Sequence, residues 1–164
     1  MINHQNVNKI RKYAVKSFYF RLYLLKNLPM GFISGMRIQE LNEEKCKVTV
    51  PFKWLNKNPF RSTFWAVLGM AGEMNSAALI LQYTYKHKPS ISTLPIKTEA
   101  IFFKKATGLT TFTCEDSKMI EEQVRFAIES GESVTIKTKS TGRDENGDEI
   151  CHFTFHWSLK ARNK

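Results

Sequence analysis

The first 39 residues contain no acid. Glu40 is the first carboxylate, whereas Lys9, Arg11, Lys12, Lys16, Arg21, Lys26 and Arg37 all precede it and account for most of the net charge of +10. Such an imbalance suits an anionic partner: a phosphate-bearing ligand, an acidic membrane surface or nucleic acid. A merely solvated basic face is the plain alternative. Cysteine is scarce. Cys46, Cys114 and Cys151 are odd in number, far apart and without a Cys-x-x-Cys pair, which excludes a disulfide framework or zinc knuckle and implies a reducing cytoplasm. Met1 leads into polar residues, so no signal peptide is expected. No Gly-x-Ser-x-Gly elbow is present, and no phosphate-cradling glycine loop. The basic and aromatic residues between Arg11 and Tyr23 carry no nucleic-acid recognition motif, so no nucleic acid is expected. His152 and His156 share a strand face, but four residues of strand span about 13 Å. With His4 and His87 elsewhere, no metal site is expected.

What is present is apolar. Of 164 residues 42% are hydrophobic and 12 are phenylalanine, enough for one domain with a real core. The run from Phe64 to Leu81 has no Lys or Arg and one acid, Glu73. It reads as a helix enclosed by protein or lipid, with Ser62 or Thr63 as N-cap. Gly69, Gly72, Ser76 and Ala77 lie three or four positions from Glu73 and surround it with small side chains. Two glycines within a helix cost about 1 kcal/mol each relative to alanine, so packing or access must require them. A membrane span needs about 20 apolar residues and would set Glu73 near mid-bilayer at a cost of roughly 2.5–3.5 kcal/mol. A soluble core helix fits better. Its acid is either paired with a Lys or Arg or poised as an acid or base in an apolar cleft.

Around this segment, residues 1–30 read as a basic helical segment packed on the domain formed by 31–164. Its helix, 8–26, carries Ile10, Val15, Phe18, Leu22 and Leu25, and peripheral membrane contact through it is the alternative to docking. Pro29 and Gly31 end it. Period-two patterning predicts strands over 32–39 and 45–52. A hairpin follows at 94–105 and 109–115, then a short helix capped by Ser117 and stopped at Gly131. Last come strands 132–143 and 149–160 around Asn146-Gly147, a strong hairpin signal. Hairpins imply an antiparallel sheet, and its apolar face must be covered. The expectation is an α+β fold: a curled antiparallel sheet of about six strands around one long central helix.

Together with Asn58 and Glu73, fifteen positions apart, this element order resembles the hotdog fold of the acyl-CoA thioesterase superfamily. The closest likeness is to an uncharacterised hotdog family catalogued as a domain of unknown function. It is similar to the phenylacetyl-CoA-type thioesterases, where an Asn before the helix is followed by His-Gly-Gly and, fifteen residues on, by an acid. Here Phe64, or Thr63, stands at the histidine, and Trp65 and Ala66 stand at the glycines. The resemblance implies a thioester hydrolase with no cofactor beyond the coenzyme A of its substrate. It implies a homodimer, or a dimer of dimers, with Glu73 facing the partner's helix start. Glu73 would be general base or nucleophile and Asn58 would hold the carbonyl or water. Ser62 and Thr63 would be auxiliary donors, and the backbone N–H near Phe64 and Trp65 would polarise the carbonyl. Arg61, Lys104, Lys105, Lys137, Lys139 and Arg143 are candidates for the nucleotide end. A non-catalytic binder of acyl-CoA or of a fatty acyl ligand, using the same cleft, is the alternative.

Overall fold

The computed structural model describes residues 2–162. Its elements are α1 (His4–Ala14), α2 (Ser17–Asn27), α3 (Pro29–Ser34), β1 (Arg37–Leu41), β2 (Cys46–Val50), α4 (Trp65–Thr84), β3 (Ser90–Phe102), β4 (Thr110–Cys114), α5 (Ser117–Ser130), β5 (Ser133–Arg143) and β6 (Glu149–Arg162). The strands form one antiparallel sheet in the order β1-β2-β4-β5-β6-β3. The sheet curls around α4, which is the hotdog arrangement expected above.

Alternation along β6 drives the wrap. Cys151, Phe153, Phe155, Trp157 and Leu159 are buried, while His152, Thr154, His156 and Ser158 on the other face are half-buried. Phe153 stacks on Phe155 at 5.9 Å and meets Phe112 at 6.0 Å. The two helix glycines receive this ring. A Cβ at Gly69 would lie 3.3 Å from Phe153, and one at Gly72 would lie 3.1 Å from it and 3.4 Å from the Ser140 hydroxyl. The glycines therefore serve packing of the helix on the sheet. On the other side, Arg11 of α1 donates to Gln82 at 2.8 Å. Gln82 and Tyr83 both bond the buried Ser117 hydroxyl of α5, at 3.3 and 3.0 Å. This polar chain ties α1, α4 and α5 together, and fully bonded buried groups make it cohesive rather than costly.

Five expectations are corrected. Residues 8–26 are two helices, not one. Lys16 is extended (φ −77°, ψ 101°), and the break lets Val7 from α1 and both Phe20 and Leu24 from α2 reach the core, which a single straight stripe could not do. Residues 29–34 form α3 rather than the start of a strand. Pro29 opens it, since a first-turn proline lacks only an N–H that would be free anyway, and Gly35 ends it at φ 81°. The 94–105 and 109–115 segments are not a hairpin. β3 pairs with β6, and β4 lies between β2 and β5, where Phe112 is fully buried. Finally, neither Ser62 nor Thr63 caps α4. The cap residue is Phe64, without a side-chain hydrogen bond, because Ser62 bonds Asn58 instead. Similarly Asp116, not Ser117, precedes α5. The final hairpin, its turn with Gly147 at φ 88°, and the Gly131 stop at φ 71° stand as read.

Candidate functional site at the central helix

The loop before α4 is built by its asparagines. Buried Asn56 donates to the carbonyls of Ser34 and Pro51 at 2.8 and 2.7 Å, and its own carbonyl accepts from Phe64 N at 2.7 Å. Asn58 Oδ1 accepts from the amides of Phe60 and Ser62 at 2.9 and 3.2 Å, and its Nδ2 donates to the Ser62 hydroxyl at 3.2 Å. Asn58 and Ser62 are thus brought together, spent on folding the loop that presents the helix start. Arg61 sits at φ 60° in that turn. Thr63 anchors to Ala106 through its amide, while its buried hydroxyl has no partner. The amides of Trp65 and Ala66 find no backbone acceptor among the described residues. Free first-turn N–H groups at the positive end of a helix dipole favour developing negative charge.

Glu73 sits two turns further on. It is half-buried, and its carboxylate has no hydrogen bond or ion pair to any described residue. Burial alone lifts its pKa above the ordinary carboxylate value, because desolvation penalises the charged form. The structural reading of an acid locked against an arginine is therefore set aside. Eight residues of helix separate Trp65 from Glu73, a rise of about 12 Å. The two groups cannot act on one carbonyl within a single chain.

Around Glu73 the helix is not wholly enclosed. Trp65, Ala66, Gly69, Met70, Glu73, Met74, Ala77, Leu81 and Tyr85 form a stripe that the sheet leaves partly open. At the end of the sheet, next to β6, β3 is an edge strand of 13 residues with no buried residue. Its Leu94, Ile96, Ile101 and Phe102 are exposed. The aromatic side chains of Trp54, Phe60, Phe64 and Trp65 are likewise exposed around the helix start. From the Met74 turn, a cavity of about 470 Å³ runs between α4, α1 and α2, walled by residues such as Ile10, Phe20, Ile38, Ala77 and Leu81.

Among the cations considered for a nucleotide, Lys104 is held by Asp144 and Asp148, each at 2.6 Å, and Arg143 by Glu149 at 3.3 Å. Lys137 and Lys139 are exposed on the β5 face opposite buried Thr138 and Ser140, which turns them away from α4. Arg61 and Lys105 adjoin the helix start, with Lys105 Nζ 3.3 Å from the Phe60 carbonyl. Two features escaped the sequence reading. Asn75 is fully buried on α4 with neither amide atom bonded; a polar residue inside the apolar run was the available signal. Four of the five tyrosines (Tyr13, Tyr19, Tyr23 and Tyr85) line this cavity, a convergence that no local pattern announces. Among the described residues no cluster could hold a metal ion, and no helix is long and apolar enough to cross a membrane.

No family model and no curated protein matches the sequence. Solved structures do match in fold. A Pseudomonas aeruginosa protein of unknown function, named a probable thioesterase, superposes with a TM-score of 0.75 at 17% identity, over 88% of this chain and 96% of its own. A Chlorobaculum tepidum protein of unknown function gives 0.73 at 12% identity, over 98% of both chains. A Haemophilus influenzae thioesterase gives 0.63 at 14% identity, over 85% of this chain and 88% of its own.

Proposed function

We propose that this hotdog-fold chain is an acyl-CoA thioesterase whose active site is a cleft completed by a second copy of itself. The observation that carries the reading is Glu73: an unpaired, half-buried carboxylate in an apolar stripe, about 12 Å from the free amides of its own helix start. Its raised pKa suits a general base, since proton transfer is most efficient when base and medium are matched. The thioesterase names of fold neighbours support the same chemistry.

In this reading Glu73 takes a proton from water as the water oxygen attacks the thioester carbonyl. The partner chain's Trp65 and Ala66 amides receive the developing oxyanion, a role that fixed donors perform at no reorganisation cost. Collapse breaks the C–S bond, and Glu73 returns the proton to the leaving thiolate. Asn58 and Ser62 hold the loop behind the amides, and Thr63 adds its unspent hydroxyl. The acyl group extends into the cavity beyond Met74, and Arg61 and Lys105 meet the nucleotide phosphates. Unlinked Cys46, Cys114 and Cys151 go with the reducing cytoplasm assumed for it.

The second copy is argued from β3. A long, unpaired edge carrying exposed Leu94, Ile96, Ile101 and Phe102 is a template for another strand, and the same edge on two copies pairs antiparallel about a twofold axis. That contact would also cover the open stripe of α4. Ile96→Glu with Ile101→Glu sets like charges across such an edge at sites that are exposed in the single chain. The double variant is expected to sediment as a folded monomer with little turnover, whereas a dimer of wild-type size would place the interface elsewhere.

The activity is tested by thiol release from a panel of short, medium, long-chain and aromatic acyl-CoAs. Turnover with at least one class is expected. Saturable binding of acyl-CoA without turnover would establish the non-catalytic binder instead, a reading favoured by bulky, exposed Trp65 at the position where the related thioesterases carry glycine.

A further inference from the structure

The outer face of α2 and α3 is left uncovered by the described residues. Phe18, Leu22 and Leu25, at helical spacing on α2, are 70%, 49% and 53% exposed, and Met30 and Ile33 of α3 are 60% and 44% exposed. The opposite face of α2 already spends Phe20 and Leu24 on the core. α2 is thus apolar on both sides, a condition met only when protein or lipid encloses the helix. A patch of this kind marks an interaction site.

The charges of the N-terminal helices choose between those two. Arg11 pairs with Glu43, Arg21 lies over the Phe32 ring and Arg37 donates to Ser17. Lys9, Lys12, Lys16 and Lys26 remain exposed, without an ion pair to any described residue. No carboxylate precedes Glu40. A second copy of this chain would bring the same lysines against each other. An anionic surface matches the whole segment, with cations at the headgroups and Phe18, Leu22 and Leu25 at the acyl boundary.

We propose that α2 and α3 form a docking surface for anionic lipid bilayers, holding the domain at the membrane face. The proposal stands on the N-terminal helices alone and is independent of the thioester reading.

The test is flotation of the full chain with vesicles of phosphatidylcholine alone or phosphatidylcholine mixed with phosphatidylglycerol. Wild type is expected to float with the mixed vesicles, to stay behind with the neutral ones, and to release as salt screens the attraction. Each lysine near an anionic surface is worth about fivefold in binding. Joint Lys12→Gln, Lys16→Gln and Lys26→Gln should therefore weaken partitioning on the order of a hundredfold. Phe18→Ser, Leu22→Ser and Leu25→Ser together should abolish it even at low salt. All six side chains are exposed, so melting temperatures close to wild type are expected of both variants. Equal flotation with neutral vesicles, flotation of either variant like wild type, or no flotation at all would overturn the proposal. So would a serine variant that changes only the sedimentation of the assembly, since the patch would then be covered by another copy.

Discussion

Glu73→Gln is expected to lower acyl-CoA turnover by on the order of 10²–10⁴-fold, the usual contribution of a positioned base, while leaving substrate binding nearly unchanged. The amide keeps the shape and removes the proton acceptor. Since Glu73 has no partner to strand, the variant should fold. The acid limb of the wild-type rate profile should lie above the ordinary glutamate value of about 4.3, because the carboxylate must be ionised to work and burial holds its proton on.

The same shift makes a stability statement of defined sign. The folded chain keeps the Glu73 proton to higher pH than the unfolded chain does, so between the two pKa values the unfolded state binds fewer protons and stability falls as pH rises. Below the unfolded value the penalty is absent, and above the folded value it is complete. Glu73→Gln removes the group. Its melting temperature should match wild type in acid and exceed it near neutrality. An inactive variant that is more stable is the trade expected of a group placed for chemistry. A variant less stable at neutral pH would mean that the carboxylate has a structural partner.

Phe153→Ala is expected to be the most damaging core substitution, at about 3–5 kcal/mol. The ring is 1% exposed and sits between Phe155, Phe112 and the edge-strand ring of Phe102, 5.7 Å away. It fills the notch that Gly69 and Gly72 leave in α4. Truncation opens a cavity whose rim is helix backbone on one side and sheet on the other, neither free to collapse. A urea midpoint shift at unchanged slope measures the loss. A cost below about 1 kcal/mol, the range of well-tolerated core swaps, would mean that the helix can resettle and that the glycines are not there for this ring.

Much of this was legible in the chain. The apolar run from Phe64 with its lone acid reported a core helix, and strict alternation from Cys151 to Leu159 reported the strand beneath it. Asn146-Gly147 specified the last hairpin. Pairing between distant strands was not legible. Nothing local distinguishes a β3 that turns back onto β4 from one that crosses to β6; burial of Phe112 under α4 decides it. Nor did periodicity show the break at Lys16, because both halves are helical and only the core behind them requires the bend. The site divides the same way. Glu73 was conspicuous as the only charge in its segment. By contrast, the hydrogen bonds that give Asn58 to the loop, and the open stripe that leaves Glu73 half-exposed, depend on tertiary contacts alone.

The most direct test uses two damaged chains. Trp65→Pro deletes one free amide at the helix start. Proline is tolerated at that first position, and Phe64 already has the extended backbone (φ −62°, ψ 134°) that a following proline requires. Glu73→Gln deletes the base. Each homodimer should be nearly inactive. When both chains are co-expressed with different tags and the mixed dimer is isolated, one of its two sites combines an intact Glu73 with an intact helix start from the other chain. That dimer is expected to recover about half the wild-type turnover, as two equivalent sites in a twofold dimer require. A mixed dimer as inactive as its parents would contradict a site shared between copies.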